Sequence, residues 1–559
     1  MENKNLPQSE ALNQQAQVEI QTSAVQAQTQ APTVNPNVQQ VSNIPRVTAS
    51  YYQPYIPRHV TPAYIAFKAR VITPKGLIIT VLSILLCILY TETILLGSAG
   101  ISVPIFAVAF YGTLFYFFRE NEKALNKSAV YLTLPILLLA FSFLIHYNPS
   151  TQFITWLALI GLICIQLVLL GNAHVSGVFT FDMFAKAIVN LVGKPFSNLG
   201  MPFHSFGILK NNKSKTLKNS IYILIGLAVS LPIAAILMNL FMSADAVFSD
   251  AMNTVSDFIG LDFANVFWDI VLGLVFGLFL AATLLGLKYG HSKEKPAVTI
   301  GDNIESIIVG TFLTIINVFI IAFVAFQFVY LFGGTVNITA SGMSYADYAR
   351  RGFFELSTAS GIIFAIALFV LIMTKKKAGK LPLWIQLATV SLCVCNGVLL
   401  VSAVKRMLLY VDAYGLSVLR VLTLWFMGII GLCLLWMVIK CFVSKIDVMK
   451  WIGLTIIVGV CVLSLTNTER IIAKYNIERY INSPTKISLD VLQLGQLSYT
   501  TAPEIAKLAE LDLKAGPITN LAIQNILKSQ KEQLEYRNRL YGFTLDSIEA
   551  RRILASELK

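Results

Sequence analysis

The stretch Ile307–Phe332, IIVGTFLTIINVFIIAFVAFQFVYLF, contains no charged residue and decides the fold class. A helix needs about 20 apolar residues to cross the hydrocarbon core of a bilayer, and this run is longer than that. Backbone polar groups in lipid must be hydrogen-bonded within the protein, which leaves helices or closed barrels. Because the run lacks the alternation of a barrel strand, it is predicted to be a membrane-spanning helix.

The whole chain has the composition that such segments produce. Of its 559 residues, 56% are hydrophobic and 13% are charged, whereas charged residues make up about 25% of a soluble domain. This imbalance excludes an ordinary soluble fold. The predicted class is an all-α polytopic membrane protein with about eleven transmembrane helices, near 76–97, 101–118, 129–145, 152–170, 220–242, 264–287, 307–332, 353–374, 383–404, 421–442 and 451–466.

The chain divides into four predicted regions. Residues 1–50 form a Gln-rich tail without sustained apolar periodicity and are predicted to be disordered. A juxtamembrane segment, 51–75, precedes the transmembrane domain, 76–466, and residues 467–559 form an extramembrane domain of two to four short helices. Within the membrane domain, the half-apolar stretch 179–192 predicts either an amphipathic helix on the inner membrane surface or a half-buried connector.

Lysine and arginine are distributed unequally between alternate connections. One set of connections, including the stretch before the first span, holds 23 of these residues and the other set holds 5. Since cytoplasmic loops retain positive charge, the N-terminus is predicted to be cytoplasmic. With eleven spans the C-terminal domain then lies outside. The basic residues Arg470, Lys474 and Arg479, just past the last span, favour the alternative of a cytoplasmic C-terminus.

Directly after the opening run, the stretch Ser344–Leu356, SYADYARRGFFEL, brings charges to the edge of the next span. If this stretch is helical, Arg351 and Glu355 lie four residues apart on one face. The structural interpretation is a helix that enters the membrane with internal ion pairs. The functional interpretation is a site at which Arg350 or Arg351 binds an anionic head group or solute, because ionisable groups at membrane depth are often functional.

A second cluster, KRMLLYVDAYGLSVLR from Lys405 to Arg420, lies on the same predicted face after the ninth span. Gly415 is predicted to end its helix. Together the clusters define a candidate polar site at the outer face. Its residues are Tyr348, Arg350, Arg351, Glu355, Arg406, Tyr410, Tyr414 and Arg420, with Asp245 and Asp250 as candidate acidic partners.

Other polar side chains fall inside the predicted spans, where they are expected to face the bundle rather than lipid. They are Glu92, Asn239, Asp269, Asn317, Gln327 and Asn396. For Glu92 and Asp269, which lie near span ends, snorkelling to the membrane surface is an adequate explanation. The chain contains no phosphate-binding loop, zinc-protease motif or nucleophile elbow. We therefore expect no catalytic residue, metal site or cofactor.

Four motifs resemble a family of bacterial multi-pass membrane proteins classed as a domain of unknown function. They are SYADYARRGFFEL, KRMLLYVDAYGLSVLR, MSADAVFS and IAKYNIERY followed by LDVLQLGQLS, and they extend from about residue 241 to 500. The resemblance implies a bacterial cytoplasmic-membrane protein and no particular reaction. The residues that it places at motif positions are Tyr348, Arg350, Gly352, Glu355, Arg406, Tyr410, Tyr414, Gly415 and Arg420.

Three functional hypotheses follow. The first is a non-enzymatic membrane protein whose outer-face Arg/Tyr/Glu site serves solute transport or envelope sensing. The second is a membrane-embedded transferase for a lipid-linked or anionic substrate, and the third is a purely structural scaffold. The expected partners are the lipid bilayer and an anionic solute or lipid head group, and not nucleic acid, because the basic residues are concentrated in one set of loops.

Overall fold

The computed structural model describes residues 71–95, 97–119, 126–171, 179–208, 240–259, 263–289, 304–332, 353–376, 381–482, 489–511, 517–537 and 540–557, with single positions between 226 and 238. Within these ranges every regular element is helical, and a single bridge joins Ile304 to Thr374. The predicted all-α class is confirmed. The predictions for the tail 1–50 and for the juxtamembrane stretch up to residue 70 lie outside the described residues.

Fourteen α-helices of the described residues precede the C-terminal domain. In chain order they are α1 (Pro74–Tyr90), α2 (Ser102–Phe118), α3 (Lys127–Ile145), α4 (Pro149–Leu170), α5 (Phe181–Ile188), α6 (Lys194–Ser197), α7 (Gly200–Ser205), α8 (Ala246–Ile259), α9 (Phe263–Tyr289), α10 (Ser306–Phe332), α11 (Phe353–Met373), α12 (Leu383–Tyr414), α13 (Val418–Phe442) and α14 (Val448–Leu465). α1 continues into a π-helical turn, Thr91–Leu95, and α5 into another, Val189–Gly193.

The described helices agree with the predicted membrane architecture. Nine of them are long and apolar enough to cross a membrane, and α2, with 17 residues, is slightly shorter. These ten helices occupy ten of the eleven predicted spans. The remaining prediction, 220–242, lies largely outside the described residues, although the described positions within it are helical.

The first membrane bundle consists of α1 to α4 and α9, which share one buried apolar core. α1 and α9 pack along much of their length. Their backbones approach closely at Gly273 and Gly277, where a Cβ atom would lie 2.6 Å from Ile88 Cα and 2.5 Å from Ile84 Cα. Small residues four apart permit such contact between membrane helices.

The second bundle consists of α10 to α13, with α12 contacting each of the other three helices. α14 joins the two bundles, because its first turns contribute Val448 and Ile452 to the second core and its last turns contribute Ile457 and Val460 to the first. The shortest predicted span is therefore a helix of 18 residues at the centre of the described membrane region.

The connector after α4 is half-buried, which is one of the two predicted arrangements. Met183 and Ala187 on α5 are buried against the first bundle, whereas Phe184 and Ile188 on the same helix are exposed. A helix with an exposed apolar face suits the boundary between lipid and water. Contact of this face with the inner membrane surface stays a prediction.

The ninth span differs from its predicted bounds. It was expected to end near residue 404, but α12 continues to Tyr414 and has 32 residues. No helix-breaking residue occurs between Val404 and Gly415, so the helix extends until the glycine ends it. Arg406, Tyr410 and Tyr414 consequently lie on the last turns of a membrane helix and not in a separate segment after it.

The C-terminal domain contains five α-helices in the described residues, more than the two to four expected. They are α15 (Thr468–Asn482), α16 (Val491–Gly495), α17 (Ala502–Leu511), α18 (Pro517–Tyr536) and α19 (Leu545–Glu557). Their apolar faces form a third core in which Tyr499 is fully buried. The domain packs on the end of the membrane region where α3 ends and α4 begins and where α12 ends and α13 begins.

Candidate functional site

The second predicted cluster is organised around a tight turn, residues 414–417, which we call the Gly415 corner. Gly415 adopts φ 79° and ψ −176°, a conformation that is essentially restricted to glycine. Its N–H donates to Val411 O at 2.7 Å and closes α12. Two residues later, the Ser417 hydroxyl accepts from the Arg420 N–H at 3.4 Å and begins α13. The turn therefore has a local cap on each side.

Arg420 lies against the end of α12. Its guanidinium donates to Tyr414 O at 3.2 Å and to Gly415 O at 2.5 Å. The guanidinium carbon is 4.3 Å from the Tyr410 ring centroid and 5.9 Å from that of Tyr414. A cation at a helix C-terminus is stabilised by the helix dipole and by the unpaired carbonyls of the last turn. Arg420 thus uses part of its donor capacity to hold the corner.

Arg406 lies on α12, before the Gly415 corner, and points toward the neighbouring helix α10. Its Nη2 donates to Gln327 Oε1 on α10 at 3.2 Å. The Ser402 hydroxyl donates to the same oxygen at 3.4 Å. Arg406 and Ser402 on α12 are thus both joined to Gln327 on α10, and the predicted site residue Arg406 lies half-buried between these two helices.

The structure brings together only part of the predicted site. Arg420 contacts Tyr410 and Tyr414, while Arg406 binds Gln327 instead. Tyr348, Arg350 and Arg351 lie outside the described residues, as does the whole stretch 333–352. Glu355 is exposed in the first turn of α11. Whether Glu355 pairs with Arg351 therefore stays a prediction.

The candidate acidic partners occur near the start of α8. Asp245 Oδ1 accepts from the N–H groups of Val247 at 2.8 Å and Phe248 at 3.1 Å, which is the geometry of a helix N-cap. Asp250 is exposed on the same helix. Among the described residues neither carboxylate makes an ion pair, so capping accounts for Asp245, and pairing with the arginines stays a prediction for both.

The C-terminal domain covers the Gly415 corner. Asn476 on α15 accepts from the Leu416 N–H and donates to the Leu416 O, both at 2.8 Å. Gln493 Nε2 donates to the same carbonyl at 2.7 Å, and the Arg479 guanidinium donates to Asp412 O. Asn476 and Arg479, on the first helix after the last span, thus contact the second cluster directly.

A second contact, which we call the Tyr147 contact, joins the domain to the first bundle. The ring of Tyr147, between α3 and α4, stacks on Tyr499 with centroids 5.2 Å apart. Beside it, Asp546 Oδ2 lies 2.8 Å from His146 Nδ1 and accepts from Asn467 Nδ2 at 2.8 Å. Sequence analysis did not identify these residues, because no charge pattern or motif marks the short turn 146–148.

Arg470 connects three elements within the C-terminal domain. Its guanidinium pairs with Glu549 on α19 at 2.8 Å and with Glu504 on α17 at 3.3 Å. The hydrogen bond to Glu549 is the main cause that raises the pKa of Arg470 above its ordinary value. The basic residue after the last span is therefore neutralised by carboxylates, which weakens its use as an indicator of a cytoplasmic location.

Several polar groups inside the spans face the protein interior, as predicted. Asn396 is fully buried and donates to Ser360 O at 3.0 Å, and Asn317 donates to Ala388 O at 3.1 Å. The snorkelling explanation is wrong for Asp269, which is 3% exposed. Its carboxyl group lies near that of Glu92 on the π-helical turn after α1.

Among the residues that the structure describes, no group of three or more His, Cys, Asp or Glu side chains is placed to hold a metal ion. The seven cysteines are free and lie buried or half-buried.

Comparison with known proteins gives one match. A family model described as a domain of unknown function, DUF4153, matches residues 133–508, more than half of the chain. The matched region begins in α3 and ends in α17, so it includes the Gly415 corner together with Asn476 and Gln493. No curated protein and no solved structure matches.

Proposed function

The chain belongs to the DUF4153 family, and from this premise we propose that it is a non-enzymatic protein of the bacterial cytoplasmic membrane that senses the state of the envelope. In this proposal the C-terminal domain rests on the membrane bundles and reports a change in the envelope by leaving, or shifting on, the Gly415 corner. The outer-face Arg/Tyr/Glu cluster is the polar element that couples the two parts.

The observation that carries the proposal is the clamp of Asn476 on both backbone groups of Leu416. The backbone N–H and C=O groups of a short turn otherwise bind water. Because the Asn476 side chain, from another domain, hydrogen-bonds to both groups of Leu416, the turn is a specific docking point. Each such hydrogen bond contributes about 0.5–1.5 kcal/mol. The contact is thus strong enough to favour one docked position and weak enough to be reversed by a ligand or a mechanical change.

Solute transport is the second candidate, and a different observation favours it. In the second bundle Asn317 Oδ1, Ser360 Oγ and Asn396 Oδ1 are buried without a hydrogen-bond partner among the described residues. Unpaired buried oxygens near the middle of a bundle are typical of a path for a polar solute. The cavities described below, however, are lined by residues of the first bundle and the C-terminal domain, and Arg406 lines neither.

The proposed orientation of the chain in the membrane depends on which connections lie at the same end of the helix bundles. Lys75 before α1 donates to Arg119 O after α2 at 2.9 Å, and Lys288 at the end of α9 donates to Phe117 O. These lysines belong to the basic set of connections, which lies opposite the C-terminal domain. The positive-inside rule then supports a cytoplasmic N-terminus and an extracytoplasmic C-terminal domain.

The experiment that tests the proposal distinguishes sensing through domain docking from solute transport. It uses a strain that lacks the gene. Cells are challenged with osmotic downshift or mild detergent, and membrane levels are checked by immunoblot. We expect Asn476→Ala to fail to restore survival at normal protein levels, because loss of two hydrogen bonds reduces the docked population about tenfold or more.

The matched control is Asn482→Ala, an exposed asparagine at the end of the same helix, which is expected to restore survival fully. Full rescue by Asn476→Ala together with no rescue by Arg406→Ala would contradict sensing and support transport.

A further inference from the structure

A cavity of about 650 Å³ lies between the first membrane bundle and the C-terminal domain. Small-molecule sites in proteins usually have about 300–1,000 Å³. Its walls come from the turn after α1, from α4 and from the end of α18. We call it the Arg537 cavity, because Arg537 at the end of α18 lines its polar end. A second, polar space of about 10 Å³ beside His146 has room for about one water molecule.

The wall formed by the membrane helices is largely apolar and elongated. Gln152, Trp156 and Ile160 line the cavity at four-residue steps on α4, so they follow one face of the helix over about 12 Å at 1.5 Å per residue. Ile94 and Leu95 at the end of the first span also line the cavity. Ile160 is 53% and Leu95 is 45% exposed. Because both lie on membrane-spanning elements, this wall is continuous with the lipid-facing surface.

The end formed by the C-terminal domain is cationic. The guanidinium carbon of Arg537 is 3.7 Å from the Tyr147 ring centroid, and its Nη2 donates to Ala99 O at 2.6 Å. Its Nε is buried without a hydrogen-bond partner among the described residues. The ion pairs found among those residues do not include Arg537. A half-buried guanidinium with an unused donor and no ion pair among the described residues favours an anion nearby.

Further donors lie at the same end of the cavity. Gln533 accepts from the Tyr499 N–H at 3.0 Å through Oε1, which leaves its amide N–H groups directed away from that bond. Ser98 also lines the cavity. The rim is fixed by main-chain bonding, since the Ile101 N–H donates to Phe543 O at 2.9 Å across the two parts. The polar end is therefore preorganised to accept oxygen atoms of a ligand.

We propose that the Arg537 cavity binds the phosphate head group of an anionic phospholipid, with Arg537 as the main phosphate ligand and with the first part of an acyl chain along Gln152, Trp156 and Ile160. A free phosphate or phosphate ester shares the head-group chemistry but leaves the apolar wall without an occupant. A lipid uses both ends of the cavity, and its bound chain enters from the lipid-facing side.

This site goes beyond the proposed function. It is separate from the Gly415 corner, and Arg537 lies outside the region 133–508 that the family model matches. The C-terminal domain can sense the envelope with or without a bound lipid, so lipid binding is tested by itself.

The test uses the purified full-length protein in a neutral detergent. Dioleoyl phosphatidylglycerol, dioleoyl phosphatidylcholine and soluble glycerol phosphate are titrated separately, and bound ligand is counted by native mass spectrometry. We expect saturable binding of phosphatidylglycerol, at least about tenfold tighter than binding of phosphatidylcholine, since only the anionic head group gains from a charge-assisted contact. Arg537→Gln is expected to weaken phosphatidylglycerol binding about tenfold or more.

Two variants control the test. Arg552→Gln removes the same charge from an exposed position of the C-terminal domain and is expected to leave binding unchanged. Ile160→Asn alters the apolar wall far from the docking contacts and is expected to weaken phosphatidylglycerol binding even if Arg537→Gln fails to fold. Equal affinity of Arg537→Gln and Arg552→Gln would overturn the proposal, and so would binding of glycerol phosphate as tight as that of phosphatidylglycerol or unchanged binding by Ile160→Asn.

Discussion

Gly415→Ala is expected to weaken the docking of the C-terminal domain on the Gly415 corner by about 3 kcal/mol or more. This is the largest effect that the structure predicts for the addition of a single methyl group. With φ 79° and ψ −176°, an alanine at this position is strained by its own backbone. A Cβ atom there would also collide with Asn476 Oδ1, which accepts from the Leu416 N–H. The substitution therefore strains the corner and displaces the side chain that clamps it.

The measurement is limited proteolysis of the detergent-solubilised protein combined with thermal unfolding. Gly415→Ala should release the C-terminal domain to protease at conditions under which the wild type is resistant. Gly397→Ala on α12 and Gly428→Ala on α13 are matched controls, because a Cβ atom at either position meets no other atom within 4 Å. If a control variant also released the C-terminal domain to the same extent, the effect would come from replacing any glycine in these helices and not from a change at the Gly415 corner.

Glu469→Gln is expected to destabilise the protein by about 2–3 kcal/mol, since it places an amide where one buried and one half-buried donor require a charged acceptor. Glu469 is 1% exposed at the start of α15. Its Oε2 accepts from the Ser498 N–H at 2.7 Å and its Oε1 accepts from the Ser150 hydroxyl at the start of α4. One carboxylate thus joins the first bundle to the C-terminal domain. A glutamine has only one acceptor oxygen, so it can accept from only one of the two donors, and the other donor faces an NH2 group.

Thermal unfolding in detergent measures this effect as a lower melting temperature. The matched control is Glu478→Gln on the same helix, whose carboxylate is exposed and lies 3.8 Å from Lys474. Exposed ion pairs contribute about 0–1 kcal/mol, so this control should unfold close to the wild-type temperature. If Glu469→Gln unfolds at the same temperature as Glu478→Gln, the carboxylate does not connect the two parts.

The membrane architecture follows from the sequence because each span is specified locally. A run such as Ile307–Phe332 is helical in lipid whatever its neighbours are, since its backbone groups must bond within the segment. The end of α12 was also readable, because Gly415 is the residue that ends it. The predicted end of the ninth span, near residue 404, is wrong, because a charge such as that of Arg406 usually indicates the end of a span, whereas here the long helix α12 brings the arginine to a partner, Gln327.

The docking contacts were not predictable in the same way. Tyr147 and Tyr499 are about 350 residues apart and neither belongs to a charged or repeated pattern. Their stacking depends on how the C-terminal core positions its helices on the turn between α3 and α4, which is a tertiary property. Arg537 is one of several basic residues in a polar helix, and only its position beside the cavity distinguishes it from Arg552.

The most direct test of the central claim, a C-terminal domain docked on the outer face, is cross-linking in intact spheroplasts. Asp412→Cys and Arg479→Cys place thiols on the two sides of the Gly415 corner, where the wild-type residues are in contact. A short, membrane-impermeant bifunctional thiol reagent is added, and cross-linked peptides are identified by mass spectrometry. Lys445→Cys, in the exposed turn between α13 and α14, paired with Arg479→Cys is the control for the opposite face.

We predict a cross-link between positions 412 and 479 without permeabilisation and none between 445 and 479. A 412–479 cross-link that forms only after the membrane is permeabilised would place the domain in the cytoplasm, and its absence under both conditions would show that the domain is not docked.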